Sequence, residues 1–207
     1  MHSLPTFDAE RELQRQGYRL IAGVDEVGRG PLAGPVVAAA VILPLDRGLP
    51  WLSLVRDSKE LTPQSREYLA QHIEGDAIAV GIGQVSSEVI DDEGIVAATQ
   101  QAMKLATQGL APRPDFILVD GISLPQLDCP GDCVVDGDSI CLSIAAASII
   151  AKVARDRFMV EMDGLYPGYG FARHKGYGTP EHLQSLERHG VCPIHRKSFY
   201  PVREMVR

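Results

Sequence analysis

The chain has 207 residues, 45% of them hydrophobic and 23% charged, with a formal net charge of −7. That length can bury a sizeable core and suits one domain, and the apolar content is that of a globular protein rather than a disordered or fibrous one. Four cysteines without Cys-x-x-Cys spacing exclude a disulfide scaffold and read as reduced, structural thiols, with no zinc site expected.

The acidic balance is uneven. From Lys152 onward Lys and Arg number ten against six Asp and Glu, and this segment holds four of the six histidines. The last quarter is therefore +4 and the remainder −11, the pattern of an acidic body that holds metal and a basic segment that meets a polyanion. A solvated basic tail is the plainer alternative. The longest nearly uncharged apolar stretch, 31–44, is too short to span a bilayer, and the N-terminus lacks a basic region followed by an apolar core. The expectation is a cytoplasmic protein with no membrane association.

Residues 8–16 read as a short leading helix closed by Gly17. Residues 19–27 are the first predicted strand, an apolar run that ends in two adjacent acids, Asp25 and Glu26, followed at once by Gly28-Arg29-Gly30. Successive strand residues face opposite sides and buried carboxylates are costly unless paired or metal-bound, so such a strand must end at a functional edge. The glycines let the backbone approach a ligand closely. The uninterrupted apolar run 35–43 predicts a strand covered on both faces and paired with the first through a tight hairpin at the glycine loop. Trp51, beside Pro50, reads as partly buried and without function; Asp57-Ser58-Lys59 is a polar loop, and Thr62-Pro63 opens a helix to about Ile73.

A third strand is expected over 77–85. Ser86 or Ser87 then caps a helical region whose Val96, Thr99, Met103, Ala106 and Leu110 form a core-facing stripe. Residues 116–119 form a strand ending at Asp120, and a shorter one over 133–135 runs into Asp136, Gly137 and Asp138. In the helix that follows, Ile144, Ala147, Ala151, Ala154, Phe158 and Met162 share one stripe, with Lys152, Arg155 and Asp156 off it. Beyond Pro167 the chain is rich in Gly and Tyr, and Thr179-Pro180 opens a last helix that Gly190 closes.

Strands from three distant parts of the chain thus end in carboxylates. Convergence of Asp25, Glu26, Asp120 and Asp138 at one sheet edge would raise their pKa values by mutual repulsion unless hard divalent cations sat among them. Oxygen-only ligation of this kind selects Mg²⁺ or Mn²⁺. Two such ions activate a water and stabilise a leaving oxygen, which is phosphoryl-transfer chemistry. Taken alone, Asp120 or Asp138 reads as a turn residue or helix cap, whereas Asp25-Glu26 inside an apolar run reads as functional.

Six motifs in order, Asp25-Glu26-Val27-Gly28-Arg29-Gly30, Val119-Asp120-Gly121, Gly137-Asp138, AAASIIAKVARDR over 145–157, His174-Lys175-Gly176-Tyr177-Gly178-Thr179 and His195-Arg196-Lys197-Ser198-Phe199, resemble ribonuclease HII, the bacterial type 2 ribonuclease H. The resemblance spans about residues 19–200. It implies an α/β fold, a ribonuclease H-like mixed sheet flanked by helices with a small C-terminal helical extension. The whole chain 1–207 would be one catalytic domain on which about 165–207 packs. It implies hydrolysis of the RNA strand of RNA–DNA hybrids and cleavage 5′ to ribonucleotides in duplex DNA, giving 3′-hydroxyl and 5′-phosphate ends, with Mn²⁺ or Mg²⁺ as cofactor and a monomer as the working unit. Asp25, Glu26, Asp120 and Asp138 match the family's catalytic, metal-holding acids. Gly28, Arg29 and Gly30 match its loop that senses the ribose 2′-OH through the backbone, Tyr177 the tyrosine that stacks at the RNA–DNA junction, and Lys59 and Lys175 basic positions near substrate phosphates.

Plainer readings stand beside these: Tyr177 as a rim aromatic, Lys59 as a solvated charge, His174 and His195 as structural or phosphate-facing, and Arg155-Asp156 as an intrahelical pair. Two other classes compete: a ribonuclease H-like DNA resolvase or nuclease indifferent to a 2′-OH, and a non-catalytic nucleic-acid-binding module, for which four acids would be an electrostatic liability. No clamp-binding motif is visible in 201–207. Before Gly137-Asp138 the family commonly has lysine, and here stands Asp136. On a continuing strand Asp136 would share a face with Asp138 and add an anion to the site; as a turn cap or solvated residue it would not.

Overall fold

The computed structural model describes residues 4–206. Its five strands are β1 (Ile21–Val27), β2 (Val36–Ile42), β3 (Ala79–Val85), β4 (Phe116–Asp120) and β5 (Gly131–Val134), in the spatial order β3-β2-β1-β4-β5. β1, β2 and β3 pair antiparallel, while β4 and β5 continue the sheet from β1 in parallel. The sheet is therefore mixed, as expected of a ribonuclease H-like fold. Eight helices are described: α1 (Asp8–Arg15), α2 (Pro63–Asp76), α3 (Ser87–Glu93), α4 (Ile95–Gln108), α5 (Leu142–Leu165), α6 (Phe171–His174), α7 (Pro180–His189) and α8 (Val202–Met205). The hydroxyls of Thr62, Ser86 and Thr179 cap α2, α3 and α7, each accepting an N–H from the first turn.

Every residue of β2 is buried because both faces of the sheet are covered. Ala38, Ala40 and Ile42 meet Ala98, Ala102 and Ala106 of α4, while Ala39 and Val41 meet Ala145, Ala146 and Ile149 of α5. α2 packs outside α5 through Leu69 and Ile73. α5 also lies hard against β1: a Cβ at Gly23 would sit 2.2 Å from the carbonyl carbon of Ser143. Glu10 of α1, fully buried, accepts the Ser143 N–H (2.9 Å) and hydroxyl (2.6 Å), fixing the start of α5 from a distant helix. The far end of α5 carries a separate cluster in which Met159 meets Leu32, Phe171, Leu186 and Val202. No described helix is long and apolar enough to cross a membrane, and all four cysteines are free thiols.

Several local expectations change. β1 and β2 do pair, but 28–35 is no tight hairpin; it is a loop folded beneath the C-terminal segment, with Leu32 and Gly34 N–H groups donating to Gly176 and Ile194. The helical region after Ser86 breaks at Gly94, whose φ of 83° ends α3. Val96 lies just after that break and is 58% exposed, whereas Thr99, Met103, Ala106 and Leu110 are buried as the stripe requires. Trp51 is buried rather than partly so, its indole N–H donating to Asp76 at 2.8 Å. Arg155, off the apolar stripe of α5, is nevertheless 0% exposed, because the 28–35 loop covers that side of the helix.

Candidate active site

The parallel register of β1 and β4 pairs Val24 with Val119, so one residue further on Asp25 and Asp120 stand side by side, where β4 ends and β1 runs on to Val27. Asp25 is buried; its Oδ1 accepts the Glu26 N–H at 2.7 Å, and the Ser148 hydroxyl of α5 also donates to it. Ser148 in turn shares a 2.8 Å hydrogen bond with Ser58, which ties the 57–59 loop to the same place. Asp120 Oδ1 accepts the Gly137 N–H at 2.7 Å, so one carboxylate positions the turn that carries another. Asp138 is not at a strand end: β5 stops at Val134, and Asp138 sits in a 3-10 turn, Gly137–Ser139, buried and 3.4 Å from Lys59 Nζ. Asp136, which precedes that turn, is exposed and left-handed at φ 54°. Strand alternation therefore says nothing about its side chain, and the shared-face expectation for Asp136 and Asp138 fails.

All four acids are held above the ordinary carboxylate range. For Asp25, raised furthest, burial is the main cause, followed by the charges of Glu26 and Asp120. Burial also raises Glu26, with Arg29 opposing it from 3.3 Å. Asp120 and Asp138 are raised by burial, and Asp57 adds to both. Burial pushes the Lys59 ammonium down, but Asp138 and Asp57 (3.7 Å) outweigh it and hold Lys59 above its usual range. More anions than cations are gathered here, and the imbalance is what a bound cation would relieve.

One cavity of about 330 Å³ joins Asp25, Glu26 and Asp120 to Gly28, Arg29, Gly30, Lys59 and Tyr177, with Ser58, Ser148 and Lys152 in its wall. Asp138 reaches it through Lys59. Tyr177, 43% exposed, stands at the rim facing Gly30. Lys175 is not in this cavity: its ammonium donates to the Ala172 carbonyl, and the residue lines a separate groove with Arg66 and Asp156. Asp156 pairs with Lys152 at 2.7 Å and with Arg66, not with Arg155.

The histidines expected to be structural or phosphate-facing are structural. The Cys192 N–H donates to His195 Nδ1 (2.8 Å), which leaves the proton on His195 Nε2 to donate to His182 Nε2 (3.0 Å) and that of His182 on Nδ1 to donate to the Tyr177 carbonyl (2.9 Å). Burial, then the neighbouring imidazoles, lowers His195 to about 4; burial lowers His182 to about 4. His174, likewise lowered by burial, accepts the Gly176 N–H through Nδ1.

Sequence reasoning assigned no role to Ser58, Ser148, His182 or Arg196, and read Arg155 only as half of an ion pair. A signal was present on α5, where Ser148, Lys152, Arg155 and Met159 follow at spacings of 4, 3 and 4. That second stripe faces the cavity and the loop beside it: Ser148 and Lys152 line the cavity, while a Cβ at Gly28 or Gly34 would strike Arg155 or Met159.

A family model described as Ribonuclease HII matches residues 22–202. The Ribonuclease HII of Dehalococcoides mccartyi is 52% identical over 201 residues, covering 97% of this chain and 95% of that protein. The Ribonuclease HII of Geobacillus kaustophilus is 57% identical over 198 residues, covering 96% of this chain and 75% of its own. The crystal structure of ribonuclease H2 from Pyrococcus horikoshii superposes with a TM-score of 0.76 at 26% identity, covering 90% of this chain and 97% of that one. With identities above one half across nearly its whole length, the chain belongs to the Ribonuclease HII family, metal-dependent endoribonucleases that act on RNA–DNA hybrids.

Proposed function

We propose that the chain works as one catalytic unit, a monomer, in which Asp25, Glu26, Asp120 and Asp138 hold Mn²⁺ or Mg²⁺. Besides the RNA strand of hybrids it cuts duplex DNA on the 5′ side of an embedded ribonucleotide, leaving 3′-hydroxyl and 5′-phosphate ends. The observation that carries this reading is the single cavity in which uncompensated acids meet the Gly28-Arg29-Gly30 backbone and Tyr177.

The donor set fits a hard divalent cation: it is all oxygen, and each carboxylate is raised by burial among like charges. Among the described residues no three His, Cys, Asp or Glu side chains are grouped as a ready-made metal site. Water and substrate phosphate would therefore have to complete the coordination of an ion shared among the four acids. When bound, such ions supply an activated water and charge stabilisation of an in-line displacement. The chain's own residues do the rest. Lys59 and Lys152 offer positive charge to a phosphate at the cavity wall, Ser148 and the Glu26 N–H hold the Asp25 carboxylate in place, and Tyr177 offers a ring face to the sugar or base at the rim.

Mapping the ends produced from a labelled duplex with one ribonucleotide tests this reading. A cut at the phosphodiester 5′ to the ribonucleotide, with 3′-hydroxyl and 5′-phosphate products, is expected; a cut 3′ to it, or a 2′,3′-cyclic phosphate, contradicts it.

A further inference from the structure

Arg155 and Arg196 are the largest fully buried side chains in the molecule, both 0% exposed, and among the described residues neither has a carboxylate within ion-pair distance. Their N–H groups go instead to backbone carbonyls of one loop. Arg196 donates to Gly28 (2.5 Å), Arg29 (2.9 Å) and Gly34 (3.0 Å); Arg155 donates to Ala33 and Pro35 (3.0 Å each) and to Lys175 (3.0 Å), two residues before Tyr177. The Arg196 guanidinium is itself placed from two sides. It lies 5.0 Å over the Phe199 ring, and Asp91 of α3 accepts the Lys197 and Ser198 N–H groups (2.8 Å each) and the Ser198 hydroxyl (2.6 Å) just beyond it.

The planar peptide makes this grip directional. In a trans peptide the N–H points opposite to the preceding C=O. With the Gly28 and Arg29 carbonyls turned inward onto one rigid fork, the N–H groups of Arg29 and Gly30 turn away from Arg196, on the side where the loop lines the cavity. Neither of these N–H groups has a hydrogen-bond partner within the described chain. Two adjacent donors held in fixed directions suit a hydroxyl oxygen, and a deoxyribose has none to offer at the 2′ position.

We propose that Arg196, with Arg155 beside it, is a specificity-determining positioning residue: it sets the directions of the Arg29 and Gly30 N–H groups that receive the ribose 2′-OH. The proposal rests on reading Gly28-Arg29-Gly30 as the 2′-OH sensor. Lysine at 196 would keep the charge but replace a three-pronged planar donor with one flexible ammonium, so the carbonyls could no longer be held together.

Three variants test it, each assayed for kcat/KM on a duplex with one ribonucleotide, for Kd on the same duplex made wholly of DNA, and for thermal unfolding midpoint. Arg196→Lys is expected to lower kcat/KM about 30-fold while Kd for the all-DNA duplex stays within about twofold, because phosphate contacts are untouched. Asp91→Ala, which loosens the anchor without disturbing a buried cation, is expected to give a smaller loss of the same kind, and it decides the matter if Arg196→Lys does not fold. A folded Arg196→Lys within about threefold of wild type, or equal losses in cleavage and in all-DNA affinity, overturns the proposal. Gly30→Pro separates the proposal from its premise, since it removes the Gly30 N–H itself, while a Cβ there meets only Tyr177 Cε1, at 4.0 Å. If Gly30→Pro loses cleavage and keeps all-DNA affinity while Arg196→Lys does not lose cleavage, the loop is the sensor and the clamp is refuted; if Gly30→Pro cleaves like wild type, the sensor reading itself falls and the clamp with it.

Discussion

Two regions of this molecule bury polar groups, and they do so in opposite ways. In the cavity at the ends of β1 and β4, four carboxylates are raised in pKa because burial and mutual repulsion exceed what Arg29 and Lys59 give back. Where α5 and the C-terminal segment close over the 28–35 loop, two buried guanidiniums and three buried imidazoles have, among the described residues, no carboxylate within ion-pair distance, yet their donors meet carbonyls and their acceptors meet N–H groups. The first arrangement is left incomplete and is completed by something that binds. The second is complete, and its product is a fixed backbone. Buried polar groups that are satisfied hold shape, and those that are not carry chemistry.

The sharpest way to break this contrast is Asp25→Asn. It removes the acid raised furthest, by burial first and then by Glu26 and Asp120, so turnover should fall by about a thousandfold or more while duplex affinity is kept or tightened. The thermal midpoint of the metal-free protein should rise, since a carboxylate raised above its unfolded pKa costs stability at neutral pH. Near-normal activity at saturating Mg²⁺, or a lower metal-free midpoint, would remove Asp25 from that role. Stability against pH comes next. His182 and His195 have folded pKa values of about 4, below the unfolded 6.5, so the unfolded chain binds more protons between those values. Their contribution is whole above pH 6.5 and is lost as pH falls toward 4, by up to about 3 kcal/mol per histidine. The acid pocket contributes with the opposite sign, shedding its repulsion as pH falls. Urea unfolding from pH 7 to 4 of wild type and His182→Asn measures this, and equal slopes would assign the acid sensitivity elsewhere.

Smaller effects lie at the rim. Tyr177→Ala should lose about 1–3 kcal/mol on single-ribonucleotide junctions and less on long hybrids, since stacking acts at the junction; equal losses on both would make Tyr177 a packing residue. Asp136→Asn keeps a residue tolerant of the left-handed conformation and removes a charge that helps raise Asp120. Because Asp136 points from an exposed turn, the expected effects are below about threefold: a lower KM for the junction substrate and a higher Mn²⁺ requirement. An unchanged pair of titrations would place it outside the field of the site.

The catalytic end of the sheet was legible because strands advertise themselves. An apolar run that stops in Asp25-Glu26 or in Asp120 announces an edge, and the parallel register of β1 and β4 brings those ends together. Asp138 was legible as an acid and, taken alone, as a turn residue, but the strand-end reading misplaced it, since the left-handed backbone at Asp136 has no hydrophobic period to betray it. Arg155 and Arg196 were the hardest to read. Their partners are main-chain carbonyls, most of them more than a hundred residues away, and every residue has a carbonyl, so no side-chain pattern marks the pairing. Lys175 lies outside the acid cavity, on a groove with Arg66 and Asp156, a placement that the Gly-rich motif around it does not reveal.

The central claim is that cleavage needs both what the acids hold and what the glycine loop recognises. It is tested most directly by offering the protein two duplexes that differ in a single 2′-hydroxyl, each with Mg²⁺, with Mn²⁺ and with chelator. Cutting confined to the ribonucleotide duplex, present with either cation and abolished by chelator, is the predicted result. Equal cutting of the all-DNA duplex, or cutting that survives the chelator, would contradict it.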